Sequence, residues 1–142
     1  MGIYVSVFHS FGFLITDELA ESMFQQAKNI WKLTASDLYQ KFHRETDVSV
    51  FLEYLNDYHQ VNHYANADYI YSRRIFDEEE TAFHIGEEFY FIELQKSPQL
   101  FSQSYNSYDE IIQEIQDNIG AFLSPDFSFT DHLLEIYGET WG

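Results

Sequence analysis

Apolar residues recur at two different spacings along this chain, and each spacing predicts a different kind of element. Near the amino terminus, Ile3, Val5 and Val7 alternate with other residues, which is typical of a β-strand over residues 3–9. The β-branched and aromatic content of this stretch favours a central position in a sheet. Residues 11–15, Phe-Gly-Phe-Leu-Ile, are predicted to form a second short strand or a loop.

Three helices are predicted next, each preceded by a residue type that caps helices well. Thr16 is followed by apolar residues at intervals of three and four, which predicts an amphipathic helix over residues 17–31. Ser36 is expected to cap a second, shorter helix. Asp47 is expected to cap a third helix, which should end near Asn62.

Strand patterns return in the middle of the chain. Residues 68–76 place Tyr69, Tyr71 and Ile75 on one face and Ile70 on the other, which indicates a strand. Residues 81–85 and 88–94 flank the dipeptide Gly86-Glu87. A two-residue connection with glycine first is typical of a type II′ turn, so a β-hairpin is predicted here.

Two helices are predicted in the last third of the chain. Ser107 and Glu110 have the spacing of a capping box and should open a helix whose isoleucines face inward. Thr130 is expected to cap a last short helix, with Leu133 and Leu134 directed inward. The resulting order predicts one α+β domain over residues 1–142. Its sheet should be mostly antiparallel with about three to five strands, and about five helices should pack on one face of it.

Composition supports a folded domain in spite of a high charge. The chain has 142 residues, a formal net charge of −17, and 19% aromatic residues. Acidic disordered chains are poor in aromatic residues, so a packed core is expected. The lack of cysteine excludes disulfides and thiolate zinc sites. No apolar run approaches the roughly 18 residues of a membrane helix, and no basic leader is visible, so a cytoplasmic protein is expected.

The negative charge is concentrated in the second half of the chain. Residues 75–142 hold fifteen acidic residues and one basic residue, whereas residues 28–74 hold six of each. Such a block repels itself, so it serves either solubility or a positively charged partner. Direct binding to nucleic acid or to an anionic membrane is disfavoured, because both depend on Lys and Arg.

Two acidic groups are the predicted contact surface for a partner. The first comprises a run of four carboxylates, expected in a turn, together with the two glutamates of the predicted hairpin. The second is a stripe at positions i, i+4 and i+7 of the fifth helix, where no Lys or Arg offsets the charge. The predicted partner-binding residues are Asp77, Glu78, Glu79, Glu80, Glu87, Glu88, Glu110, Glu114 and Asp117.

A metal site is the main alternative among the candidate chemistries. His59 and His63 are four residues apart at the end of the third predicted helix and would face the same way. The zinc-protease pattern also requires a glutamate after the first histidine, and Gln60 stands there. The two histidines are therefore interpreted as solvent-facing residues at a helix end, and no metal or cofactor is expected.

Two smaller groups have simpler interpretations. Arg73 and Arg74 are adjacent in a predicted strand, and a salt bridge to a neighbouring carboxylate is the expected role. His9, Ser10 and Asp17 contain the residue types of a nucleophilic triad. The G-x-S-x-G turn that exposes such a serine is absent, so a chance occurrence is the better interpretation.

The preferred hypothesis is an acidic protein-binding inhibitor without enzymatic activity. Its carboxylates would imitate phosphates and block the basic nucleic-acid site of a nuclease, as expected of a phage anti-defence (anti-CRISPR or anti-restriction) protein in the host cytoplasm. The alternatives are an immunity protein that neutralises a cognate toxin, a small metal-dependent enzyme using His59 and His63, and a scaffold whose acidity serves solubility. An uncovered strand edge within residues 68–94 would pair two copies into a homodimer.

Overall fold

The sheet at the centre of the protein is antiparallel throughout the part of the chain that the structure describes. A computed structural model describes residues 5–65, 70–74, 83–94 and 105–141. The sheet contains six strands in the order β2-β5-β1-β6-β3-β4. These are β1 Val5–Ile15, β2 Asn62–Tyr64, β3 Ile70–Arg74, β4 Phe83–His84, β5 Phe89–Glu93 and β6 Leu133–Trp141.

Four helices accompany the sheet in the described ranges. They are α1 Asp17–Thr34, α2 Ser36–Phe42, α3 Val48–Tyr58 and α4 Tyr105–Ile119. Two short 3₁₀ turns, Gly120–Phe122 and Thr130–His132, connect α4 to β6. None of the described helices is long and apolar enough to cross a membrane. The predicted class is confirmed: the protein is a single α+β domain with an antiparallel sheet, although the sheet has six strands.

The helices pack on one face of the sheet, as predicted. Side chains from alternate positions of β1, among them Phe13, meet Met23 of α1, Phe51 of α3 and Ile115 of α4, and these four are fully buried. A second, smaller cluster lies on the opposite face of the sheet. It comprises Ile70, Phe89, Phe91, Leu134 and Ile136.

Local signals predicted the caps of α1 and α3 correctly, whereas the predicted cap Ser36 is the first residue of α2 and is preceded by Ala35, which makes no side-chain cap. The side chain of Thr16 accepts a hydrogen bond from the Leu19 amide, and Asp47 caps α3 in the same manner through Ser49. However, residues 11–15 do not form a separate element, because β1 runs without interruption to Ile15. Continuous pairing with β5 and β6 on either side keeps this strand extended.

The third helix ends earlier than predicted. α3 stops at Tyr58, and Gln60 takes a left-handed φ of 53°, which turns the chain into β2. His63 therefore lies on a strand, where it is paired with Tyr90 of β5, and His59 is left at the helix end. The prediction that both histidines lie on one helical face is wrong.

The predicted Gly86-Glu87 hairpin does not form. Gly86 has a φ of 109°, as a glycine turn requires, but the strands on its two sides do not pair with each other. β4 pairs with β3 at one edge of the sheet, whereas β5 pairs with β1 and β2. The turn residue was identified correctly, and the partner strands were not.

The last predicted helix is a strand. After the 3₁₀ turn Thr130–His132, the chain continues as β6 and pairs with β1 over most of its length. Leu133 and Leu134 are both buried but belong to opposite faces of the sheet. Burial on two faces favours a central strand, and this long-range pairing overrides the helical spacing. α4 also begins at Tyr105, two residues before the predicted cap Ser107.

Candidate functional site

The predicted partner-binding residues fall into three places. Asp77, Glu78, Glu79 and Glu80 lie outside the described residues. Glu87 and Glu88 are exposed in the segment that precedes β5. Glu110, Glu114 and Asp117 are exposed on α4, whose isoleucines at positions 111, 115 and 119 are fully buried. These three residues of the predicted stripe therefore lie on the side of α4 that is opposite its buried isoleucines.

Glu88 lies at the rim of a cleft that the sequence did not predict. The cleft has a volume of about 470 Å³ and lies between the amino-terminal ends of α1 and α3 and the start of β5. Asp17 of α1 and the helix cap Asp47 also line it. Three carboxylates that are distant in sequence are thus brought to one opening.

The two aspartates of the cleft are positioned by helix capping. Asp17 is the first residue of α1, immediately after the cap Thr16. Asp47 accepts hydrogen bonds from the backbone amide of Ser49 at 3.0 Å and from its hydroxyl at 2.8 Å. These hydrogen bonds lower the pKa of Asp47 below its ordinary value, which keeps the carboxylate ionised. The first backbone N–H groups of a helix have no partner within the helix, so a helix amino terminus favours both such caps and negative charge.

Tyr90 lines one side of the cleft and is stacked against His63. The His63 ring stacks on Tyr90 with ring centroids 4.3 Å apart, and its Nε2 lies 2.9 Å from Glu88 Oε2. Burial raises the pKa of the Tyr90 hydroxyl, and the charges of Glu88, Glu53 and Asp17 raise it further. Glu53, on the exposed side of α3, therefore belongs to the same electrostatic environment.

A second opening lies at the other end of α3. Tyr58, His59, Glu114 and Asp117 line a shallow depression of about 390 Å³, in which the Tyr58 side chain is 70% exposed. The His59 ring lies 3.2 Å from the backbone carbonyl oxygen of Asn118, a contact that joins the end of α3 to α4. This contact places the acidic stripe of α4 beside an exposed tyrosine.

Helix α3 connects these two openings into one surface. Glu53 and Asp57 are exposed and one turn apart on it, and no Lys or Arg occurs in Val48–Tyr58. Its 11 residues correspond to a length of about 16 Å. We call the surface that follows this helix from one opening to the other the acidic strip. Its members are Asp17, Asp47, Glu53, Asp57, Glu88, Glu114 and Asp117.

The negative charge of the acidic strip is not offset by basic side chains within the described ranges. The ion pairs there are His9–Glu135, His63–Glu88 and Arg73–Glu135. Only the histidine contact of Glu88 involves the strip. A row of carboxylates without Lys or Arg partners attracts cationic groups from outside the protein.

The structure does not support the metal hypothesis for His59 and His63. The two rings are engaged separately, one by the Asn118 carbonyl oxygen and the other by Glu88 and Tyr90. Among the described residues, no group of three His, Asp or Glu side chains is arranged to hold a metal ion. The helical histidine pair on which that hypothesis depended does not form.

A third polar group lies on the sheet and was only partly expected. Glu135 of β6 lies 2.8 Å from His9 of β1 and 2.6 Å from Arg73 of β3. The salt bridge expected for Arg73 is thus present. Burial raises the pKa of Glu135, but the hydrogen bonds from Arg73 and His9 outweigh burial and lower it overall. Pairing across three strands gives no signal in the local sequence.

The triad residue types at the amino terminus do not converge. His9 contacts Glu135, whereas Ser10 is next to it on a strand and therefore points to the opposite face. Ser10 is buried, and its hydroxyl has no hydrogen-bond partner within the described part of the chain. Asp17 belongs to the distant cleft. The interpretation of these residues as a chance occurrence agrees with this geometry.

Comparison with known proteins gives no relative for this chain. No protein family, no curated protein and no solved structure matches it. Functional reasoning therefore rests on the geometry and charge described above.

Proposed function

We propose that this protein is a protein-binding inhibitor that places its acidic strip in the basic nucleic-acid site of a nuclease. The observation that carries the proposal is the row of carboxylates along α3, which has no Lys or Arg partner among the described residues. A nuclease channel lined with Lys and Arg supplies the missing cations. Such pairing is charge-assisted and is strongest where an arginine contacts a carboxylate with both nitrogens.

The charge density of the strip supports nucleic-acid mimicry. Duplex DNA carries one negative charge per about 1.7 Å of its axis, and each single strand one per about 3.4 Å. Over the roughly 16 Å of α3, this corresponds to about nine charges for a duplex and about five for one strand. α3 and its cap carry three carboxylates over this length, and the four other members of the strip add charge from neighbouring elements at its two ends. A site built for phosphates therefore meets a row of negative charges.

The surroundings of the strip favour a protein partner. Tyr58 is largely exposed beside Glu114 and Asp117, and tyrosine is a common anchor in protein interfaces. Electrostatic steering should speed association and make it sensitive to salt. An anti-defence role against a restriction or CRISPR nuclease is the version we favour. An immunity protein for a nuclease toxin would make the same contacts, and the identity of the partner distinguishes the two.

The test is capture of the partner followed by inhibition of its activity. The full-length protein is immobilised, exposed to bacterial lysate at low salt and eluted with high salt. The proposal requires that an eluted nuclease be displaced by nucleic acid and that its cleavage be inhibited by the free protein. Binding that survives high salt, or that nucleic acid does not displace, would contradict mimicry.

A matched pair of variants shows whether the strip itself is responsible. The strip variant carries Glu53→Gln, Asp57→Asn, Glu114→Gln and Asp117→Asn. The control variant removes the same charge from exposed positions elsewhere, with Glu21→Gln, Asp37→Asn, Asp126→Asn and Asp131→Asn. Each ion pair between a strip carboxylate and a basic residue of the nuclease should contribute about 0.2–1 kcal/mol to binding. The strip variant, which removes four such carboxylates, should therefore inhibit about 4-fold to several-hundred-fold more weakly. Equal loss in both variants would assign the effect to net charge alone.

A further inference from the structure

The cleft between the amino-terminal ends of α1 and α3 has the size and the lining of a binding pocket. Its volume of about 470 Å³ lies in the range of known ligand pockets, roughly 300–1,000 Å³. Its apolar lining comes from β1, α3, β5 and the turn before β5. The side chains concerned are Leu14, Ile15, Leu52, Ile85 and Phe89.

The rim of the cleft has the opposite character. Asp17, Asp47 and Glu88 surround the opening, and none of the described residues that line it is a Lys or Arg. The dipoles of α1 and α3 place about half a positive charge at each helix amino terminus, and this charge repels a cation. Three carboxylates outweigh these dipoles by about two charges, so the cleft attracts a cation. The apolar side chains that line the cleft favour a cation that also carries an apolar stem.

We propose that this cleft accepts an arginine side chain of the partner protein, with the guanidinium at the rim carboxylates and the methylene stem against the apolar lining. This inference rests on the proposed function and specifies one contact within it. Arginine suits the cleft better than lysine, because its planar group has five donors that can reach carboxylates on different sides. Its less strongly hydrated charge is also easier to transfer into a partly enclosed site.

The geometry of the rim is prepared for such a contact. Asp47 is held by Ser49 through two hydrogen bonds, and Glu88 is held by His63. Both carboxylates are therefore oriented before a ligand arrives, which reduces the entropy lost on binding. The stacking of His63 on Tyr90 fixes the aromatic side of the cleft in the same way.

The test uses the full-length protein alone and a small probe. N-acetyl-arginine amide is titrated into isotope-labelled protein, and backbone amide shifts are followed by NMR. N-acetyl-citrulline amide has a nearly identical shape without charge and serves as the control probe. We expect saturable shifts at Asp17, Ser49 and Tyr90 with the arginine probe and none with citrulline. Equal shifts with both probes, or shifts confined to other regions, would overturn the proposal.

A double variant locates the contact. Asp47→Asn with Glu88→Gln removes two rim charges while asparagine preserves the helix cap. Binding of the arginine probe should weaken about tenfold, and the control pair Asp37→Asn with Asp126→Asn should leave it unchanged. Undiminished binding in the rim variant would refute the site. If the amide spectrum shows that the rim variant is unfolded, Asp17→Asn replaces it, with an expected loss of about threefold.

The outcome is independent of the test of the proposed function. If the cleft binds the arginine probe but no captured nuclease is inhibited, the proposed function is refuted and the cleft remains an arginine-binding site. Inhibition by the strip without arginine binding in the cleft would refute the pocket and leave the proposed function supported.

Discussion

Replacement of Gly12 by alanine tests a close approach between β1 and β5. Gly12 lies in β1, opposite Glu93 of β5 and Leu134 of β6. A Cβ atom at this position would overlap the backbone carbonyl oxygen of Ile92 and would lie 2.8 Å from two ring carbons of Phe91. Neither neighbour is the end of a flexible surface side chain, so neither can move aside cheaply.

The expected cost follows from what would have to move. The Phe91 ring is fully buried, and the Ile92 carbonyl belongs to a strand paired on both sides. Overpacking a core usually costs about 1–3 kcal/mol, and here both a ring and a backbone must shift. We therefore expect Gly12→Ala to lower the free energy of unfolding by about 3 kcal/mol or more. For a chain of this size, that corresponds to a melting temperature lower by about 6–12 °C.

Two other glycines provide graded controls, measured by urea unfolding with tryptophan fluorescence and circular dichroism. At Gly86, an added Cβ meets only Glu88 O, at 3.8 Å, but φ is 109°, so Gly86→Ala should cost about 1–3 kcal/mol through backbone strain. At Gly120 the nearest atom is Gln116 Cβ at 3.2 Å, and φ is not positive, so Gly120→Ala should change stability by less than about 1 kcal/mol. If Gly12→Ala costs no more than Gly120→Ala, the reasoning from close strand approach is wrong.

Two further predictions concern pH. The pKa of Glu135 is lowered below 4.5 because hydrogen bonds from Arg73 and His9 outweigh burial. Its stabilisation is present above about pH 4.5 and is lost as pH falls through the lowered value, so Glu135→Gln should flatten the acid limb of unfolding free energy against pH. Burial lowers the pKa of His132 below 6.5, although its Nδ1 lies 3.1 Å from the Leu14 carbonyl oxygen. Stability should fall as pH drops below about 6.5, and His132→Phe should remove that decrease in urea titrations; an unchanged profile would contradict burial of the neutral ring.

The elements that the sequence predicted well depend on local signals. Thr16 and Asp47 cap helices because their side chains reach amides two or three residues away, and periodic apolar residues mark the buried side. Strand pairing depends on distant residues instead. The short segment after Thr130 was predicted as a helix, but it continues as β6 because β1 pairs with it. Gly86 turns the chain as predicted, but the strands on its two sides pair with other strands.

The acidic strip was predicted only in part, for a related reason. Glu88, Glu114 and Asp117 lie in the acidic second half of the chain and were predicted from its charge together with their places in a predicted hairpin and on one face of a predicted helix. The other four members of the strip were not predicted as contact residues, because they lie in segments with fewer acids or with balanced charge; they are Asp17, Asp47, Glu53 and Asp57. One local signal was available: α3 has acidic residues one turn apart and no basic residue. The convergence of these groups on one surface depends on the fold.

A surface of this charge is tolerated because the helix that carries it is anchored from the other side. Glu53 and Asp57 repel each other across one turn, which costs about 0.2–0.5 kcal/mol, and charges farther away are screened beyond about 8 Å at physiological salt. Phe51 and Leu55 on the inner side of α3 are fully buried, and each contributes about 1.5–3 kcal/mol. Packing therefore exceeds repulsion several-fold. The aromatic core thus anchors α3 while Glu53 and Asp57 stay exposed one turn apart on its outer side, which is the arrangement that the proposed imitation of a phosphate backbone depends on.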